Sequence, residues 1–111
     1  MSGSVKALLQ KYQTRISAIT GRWLKEIILY GSYARGDFRK DSDIDIMILL
    51  DLEEDSPILQ EMENKIMDAT YDFNWENDTD IMPIVKSARQ FNYWKKAYMF
   101  YRNVDQEGVK L

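Results

Sequence analysis

Residues 43–50, DIDIMILL, constrain this chain most, because they form an apolar run of strand length that opens with two carboxylates. Alternation along a strand sends Asp43, Asp45, Met47 and Leu49 to one face and Ile44, Ile46, Ile48 and Leu50 to the other. Two carboxylates at i and i+2 share a face, close enough to repel strongly unless a cation lies between them. The chain has no His and no Cys, so any ligands here are oxygens and the compensating ion is Mg²⁺ or Mn²⁺. Asp80, at the head of a later apolar run, can bring a third carboxylate to the same place. Three such groups can hold two metal ions about 4 Å apart, steadying both the attacking and the leaving oxygen of a phosphoryl transfer.

The periodicities around this strand predict an α/β chain. From Val5 to Ile19 apolar residues recur at three- and four-residue steps, which predicts a helix capped by Ser4 and stopped at Gly21. Glu26–Tyr30 reads as a buried strand ending at Gly31, with a short helix after it. Ser56-Pro57 opens a long helix, Pro57 lying in its first turn. Asp80–Val85 reads as a third strand, and Pro83 inside it points to a sheet edge or to an early end of the strand. Ser87 to about Val104 reads as one helix crowded with aromatics, and Gly108 begins a short tail. The expected architecture is a small mixed β-sheet flanked by helices. Strand order is not specified by periodicity.

Gly31-Ser32 stands where a strand ends and a helix begins, so its backbone N–H groups are free to face an anion. Gly31 allows a phosphate closer than a Cβ would, and Ser32 adds a hydroxyl donor. Arg35, one turn on, and the basic pair Arg39 and Lys40 can neutralise phosphate charge. A phosphate anchor followed by paired carboxylates describes a site for a nucleoside triphosphate.

The segment GSYARGDFRKDSDIDIMI resembles the signature of the DNA polymerase β-type nucleotidyltransferase superfamily, Gly-Ser followed by Asp-x-Asp. The length and the closing YRNVDQEGVKL are similar to its minimal members, the MNT proteins that act as antitoxins beside HEPN-domain toxins. The resemblance implies that fold, and transfer of a nucleoside monophosphate from a triphosphate with release of pyrophosphate. By resemblance, Gly31 and Ser32 anchor phosphate, with Arg35 as a further contact, and Asp43 and Asp45 bind metal and nucleotide. Asp80 matches the third acid, which in the family helps bind metal and activates the acceptor hydroxyl. Asp78 shares its parity, but Asp80 directly precedes the apolar run. The implied cofactor is Mg²⁺, two ions, with Mn²⁺ as substitute, and the implied substrate is ATP. The implied acceptor is a tyrosine of a HEPN ribonuclease toxin. A non-catalytic antitoxin that neutralises by binding, and transfer to a small molecule of the antibiotic type, are the alternatives.

With 111 residues the chain reads as one domain, 1–111, with about 1–4 a flexible N-terminus and about 105–111 a C-terminal tail. Lack of His and Cys excludes imidazole-assisted hydrolases, thiolate nucleophiles and Cys-based zinc sites. A net charge of −3 disfavours broad capture of nucleic acid. No window is apolar enough to span a membrane and no signal peptide is evident, so a cytoplasmic protein is expected. The oligomeric state stays open, a homo-oligomer included. Asp37 is expected to tie the loop, with contact to ligand as the alternative; Tyr33 and Phe38 to pack it, with bordering the nucleotide base as theirs; Arg35 to meet phosphate or form a surface ion pair; and Asp41 to be solvated. Phe91, Trp94, Tyr98 and Tyr101 fall on one helical stripe, whereas Tyr93 and Phe100 lie off it and suggest a partner surface.

Overall fold

The computed structural model describes residues 3–39 and 41–111. Helix α1 (Gly3–Thr20) leads through a 3₁₀ turn at Gly21–Trp23 into strand β1 (Leu24–Tyr30). Helix α2 (Ser32–Arg35) and a loop precede β2 (Ile44–Leu50), and α3 (Pro57–Asn77) returns the chain to β3 (Ile81–Ser87). Helices α4 (Ala88–Ala97) and α5 (Met99–Glu107) follow, and β4 (Val109–Lys110) ends the sequence of elements. The sheet order is β3-β2-β1-β4, with β2 antiparallel to β1, parallel to β3, and β4 antiparallel to β1. This is the expected mixed sheet flanked by helices.

The alternation in β2 divides the core as the sequence requires. Ile44, Ile46, Ile48 and Leu50 join Ile27 and Leu29 of β1 against Leu9, Tyr12 and Ile16 of α1 and Met62, Ile66 and Phe73 of α3. Met47 and Leu49 join Ile28 against Ala88 and Phe91 of α4 and Val104 of α5. Asp43 and Asp45 share that second face by parity, and α5 reaches over it as far as the cleft that Asp45 lines. A buried polar pair between α1 and α3 is satisfied: the Tyr12 hydroxyl and Thr70 Oγ1 lie 2.6 Å apart, and Thr70 also donates to the Ile66 carbonyl at 2.7 Å. Ser56 caps α3, accepting from the Ile58 N–H at 3.2 Å, with Pro57 in the first turn where its missing N–H costs nothing. Pro83 sits in β3, the edge strand, as its missing donor predicts.

Three expectations change. Helix α1 already includes Gly3 and Ser4, so Ser4 is not its cap and these two are not a flexible start; Met1 and Ser2 lie outside the described residues. The aromatic segment is two helices rather than one, broken at Tyr98, whose φ of −121° and ψ of 130° are extended. No Pro or Gly marks that break. It is a tertiary choice that folds α5 back on α4, so that Tyr101 packs against Trp94 and Phe91 at ring separations of 5.1 and 6.1 Å and Lys95 meets Asp105 at 3.5 Å. Tyr98 is thereby exposed instead of lying on a core stripe. Last, the tail from 105 is not loose: 105–107 complete α5, and Val109 and Lys110 pair with Leu29 and Ile28. Gly108 makes that turn feasible, because a Cβ there would collide with Ile28 Cγ2 and the Val104 carbonyl.

Candidate active site

The end of β1 and the start of β2 are neighbours because the two strands are antiparallel, and Tyr30 stands opposite Asp45 in the register. That pairing brings the Gly31-Ser32 turn over the Asp45 carboxylate. Gly31 has φ 74° and ψ −152°, and an added Cβ would strike Asp45 Oδ2. Conformation and space both require glycine there. The first intrahelical bond of α2 runs from the Arg35 N–H to the Gly31 carbonyl at 3.1 Å, so the N–H groups of Ser32, Tyr33 and Ala34 precede it. The Ser32 carbonyl then accepts from the N–H groups of Gly36 and Asp37 at 2.9 and 3.1 Å, which closes the turn.

Above these residues lies a cleft of about 460 Å³, lined by Tyr30, Gly31, Ser32, Arg35 and Asp45 on one side and by Phe100, Asn103, Val104 and Glu107 of α5 on the other. Phe100 meets the Tyr30 ring edge-on at 5.9 Å. Sequence reasoning assigned Phe100 to a partner surface and passed over Asn103 and Glu107 entirely. Only the fold-back of α5 places them here, and no local signal announces it. Tyr93, the other off-stripe aromatic, is exposed on α4.

The electrostatics follow from two acid pairs that share Asp43, one with Asp45 and one with Asp80. Burial lifts the Asp45 carboxyl above the usual carboxylate range, the Asp43 charge adds to the lift, and the Arg35 guanidinium opposes it. Asp80, exposed just before β3, is also raised, chiefly because its protonated carboxyl hydrogen-bonds Asp43 and because the Asp43 charge disfavours a second anion. Asp43 is thus the common neighbour of Asp45 and Asp80. Its placement comes from the parallel register, in which Ile44 pairs with Ile81 and the Ile44 N–H donates to the Asp80 carbonyl at 2.9 Å. Asp78 serves elsewhere: it caps α3 in a left-handed conformation, φ 53°, its N–H donating to the Asn74 carbonyl. Tyr30, half-buried beside Asp45, has its hydroxyl pKa pushed up to about 12, by burial first and by the Asp45 charge second.

Arg35 lies on the cleft wall and also holds Asp37, Nε to Oδ2 at 3.3 Å, so Asp37 ties the loop as expected. Tyr33 and Phe38 stack on each other, centroids 4.2 Å apart, and pack that loop. Arg39 is exposed, its N–H held by Ser42 Oγ at 2.8 Å, and Lys40 lies outside the described residues. The donor set is all oxygen and carries an excess of negative charge, which suits Mg²⁺ or Mn²⁺. Asp43 pairs with Asp45 and with Asp80, but among the described residues no group of three such side chains stands close enough together to hold one ion.

A glycine turn over a carboxylate pair, at the end of a β3-β2-β1-β4 sheet, defines the class, and the chain belongs to the nucleotidyltransferase domain family, which matches residues 9–106. Two relatives in Methanocaldococcus jannaschii carry the name "putative protein adenylyltransferase". One is 38 % identical over 104 residues, covering 94 % of this chain and 86 % of its own length. The other is 35 % identical over 78 residues, covering 70 % and 75 %. Among solved structures, a toxin–antitoxin with AMP-PNP superposes with a TM-score of 0.50 at 20 % identity, covering 91 % of this chain and 70 % of that one. A variant of the MntA–HpeT toxin–antitoxin gives 0.51 at 22 %, covering 92 % and 70 %. At such identities these two speak for the fold. Among the described residues no helix is long and apolar enough to cross a membrane.

Proposed function

We propose that this chain transfers AMP from ATP to a hydroxyl of a partner protein, a tyrosine of a HEPN-domain toxin, and thereby silences it as an antitoxin. The observation that carries the reading is the stacking of the Gly31-Ser32 turn on Asp45 at the floor of one cleft, with Asp43 linking Asp45 to Asp80. In this reading Gly31, Ser32 and Arg35 receive the triphosphate, the first two through backbone N–H and hydroxyl donors, the third through charge. Asp43, Asp45 and Asp80 hold Mg²⁺, which when bound neutralises phosphate charge and lowers the pKa of the acceptor hydroxyl. The acceptor oxygen forms a bond to the α-phosphorus, the bond from that phosphorus to the bridging oxygen breaks, and pyrophosphate leaves. Asp80 takes the acceptor proton. Its position at the rim, exposed and beside Asp43, suits a group that must meet an incoming hydroxyl. The names of the two archaeal relatives support protein as the acceptor class, and the toxin–antitoxin structures support the same pairing.

The test is the intact mass of the protein encoded beside this one after incubation with this chain, ATP and Mg²⁺. A gain of one or more AMP units, absent with Asp43→Asn/Asp45→Asn, is the expected result. An unchanged mass with a tight complex still forming would replace transfer by neutralisation through binding.

A further inference from the structure

Helix α3 buries Leu59, Met62, Ile66, Thr70 and Phe73 and leaves a second apolar row on its outer side. Met67, Tyr71 and Trp75 recur at four-residue steps and are 47, 73 and 84 % exposed. Among the described residues, none of the three belongs to a core cluster. It runs into a cleft of about 620 Å³ lined by Tyr71, Asn74, Trp75, Asp78, Thr79 and Asp80. Asp80 lines this cleft and a smaller one of about 290 Å³ beside Tyr33 and Ile44, and not the one over Gly31, yet Asp43 joins it electrostatically to the last. Met82, two residues along the same strand face from Asp80, is 49 % exposed. Beside the apolar row runs an acidic one. Glu76 in it is held by Arg15 at 2.9 Å, whereas among the described residues Asp68, Asp72 and Asp78 have no ion-pair partner.

We propose that this face of α3 docks the protein acceptor, an inference that rests on the adenylyl-transfer reading above. The occupant is a protein segment that sets an apolar side chain between Tyr71 and Trp75, places Lys or Arg against Asp68, Asp72 and Asp78, and delivers its hydroxyl to Asp80. Three observations converge on that occupant. In-line displacement brings the acceptor in opposite the leaving pyrophosphate, and the triphosphate takes the Gly31-Ser32-Arg35 side, which leaves the Asp80 side for the acceptor. Exposed Trp and Tyr are the side chains that anchor protein interfaces, where they bury large area at little entropy cost. The unpaired acids at the rim select and steer a basic partner.

The experiment measures binding of the full chain to the protein encoded beside it by calorimetry, with AMP transfer followed in parallel by intact mass. Tyr71→Ala/Trp75→Ala and Asp68→Lys/Asp72→Lys are expected to weaken binding tenfold or more. Both should raise the acceptor KM while affinity for ATP with Mg²⁺ stays that of the unmodified chain. Circular dichroism confirms that the exposed substitutions leave the fold intact. Unchanged binding in both variants overturns the proposal. So does a loss confined to Tyr93→Ser, which would move the interface to α4, or a self-associated chain that Trp75→Ala renders monomeric. If the unmodified chain binds its neighbour through α3 but transfers no AMP, the transfer reading fails while the docking surface stands. No binding at all sinks the docking surface itself.

Discussion

Replacing Asp43 by Asn should stabilise the folded protein while disabling the site. Asp43 is the charge that raises both Asp45 and Asp80 above the usual carboxylate range, so folding concentrates negative charge that the unfolded chain disperses. Same-face neighbours on a strand lie about 6.7 Å apart, two rises of the chain. Unit charges at that distance repel by about 0.6 kcal/mol at the dielectric of water and about 2.5 kcal/mol at an effective dielectric of 20. Asp43 is exposed and Asp45 only half-buried, so solvent screening keeps the Asp43–Asp45 repulsion near the lower figure, about 0.6–1 kcal/mol. The expected gain in EDTA at pH 7 is that amount, or about 2–6 °C in Tm for a domain of this size. The pH dependence has a definite sign. A carboxyl raised in the folded state retains protons that the unfolded chain has lost, so stability falls as pH rises through the carboxylate range, and the penalty is complete above it. The advantage of Asp43→Asn must therefore vanish in acid and shrink in 0.5 M salt. Mg²⁺ should stabilise the unmodified chain and do so less for the variant. Urea unfolding at several pH values checks each arm. Equal or lower stability of the variant at neutral pH in EDTA, or a gain that persists in acid, would refute repulsion as the cost of this cluster.

Gly31→Ala should cost about 1–3 kcal/mol, since it adds strain at positive φ to a collision with Asp45, and should lower AMP transfer at least tenfold, read by unfolding and by intact mass. Phe100→Ala removes the edge contact with Tyr30 and should cost about 0.5–1.5 kcal/mol in urea unfolding; as it also opens the cleft wall, ATP affinity in calorimetry should fall, and unchanged affinity would return Phe100 to a partner surface. Ser87→Ala removes both the cap on the Gln90 N–H and a buried 2.6 Å bond to the Leu52 carbonyl, and a loss of about 1–2 kcal/mol is expected in urea unfolding. Absorbance titration at 295 nm should find two tyrosines, Tyr12 and Tyr30, ionising only near pH 12, so stability should fall as pH climbs from about 10 toward that value.

The heptad-like steps of α1 and α3, the Ser56-Pro57 start, the edge placement of Pro83 and the two faces of β2 are all readable from residues 5–87, because each depends on local geometry and on where apolar atoms must go. The candidate site is readable for the same reason. A glycine at a strand end and two acids of one parity keep their meaning in any sheet that pairs them. What lies beyond the sequence is whatever one element decides for another. No propensity breaks the helix at Tyr98. Packing of Tyr101 on Trp94 and Phe91 does, and that turn is what carries Phe100, Asn103 and Glu107 over the cleft. Strand order needed the tertiary structure too, since the choice of β2 as neighbour of both β1 and β3 is made by long-range pairing and not by period. From that order comes the meeting of Asp80 with Asp43, thirty-seven positions apart in the chain, and the pairing of Val109 and Lys110 with β1. Sequence determined which residues could carry the chemistry. Packing decided which of them share a cleft, because side chains distant in sequence acquire a common environment only when the sheet register and the helix fold-back are both in place.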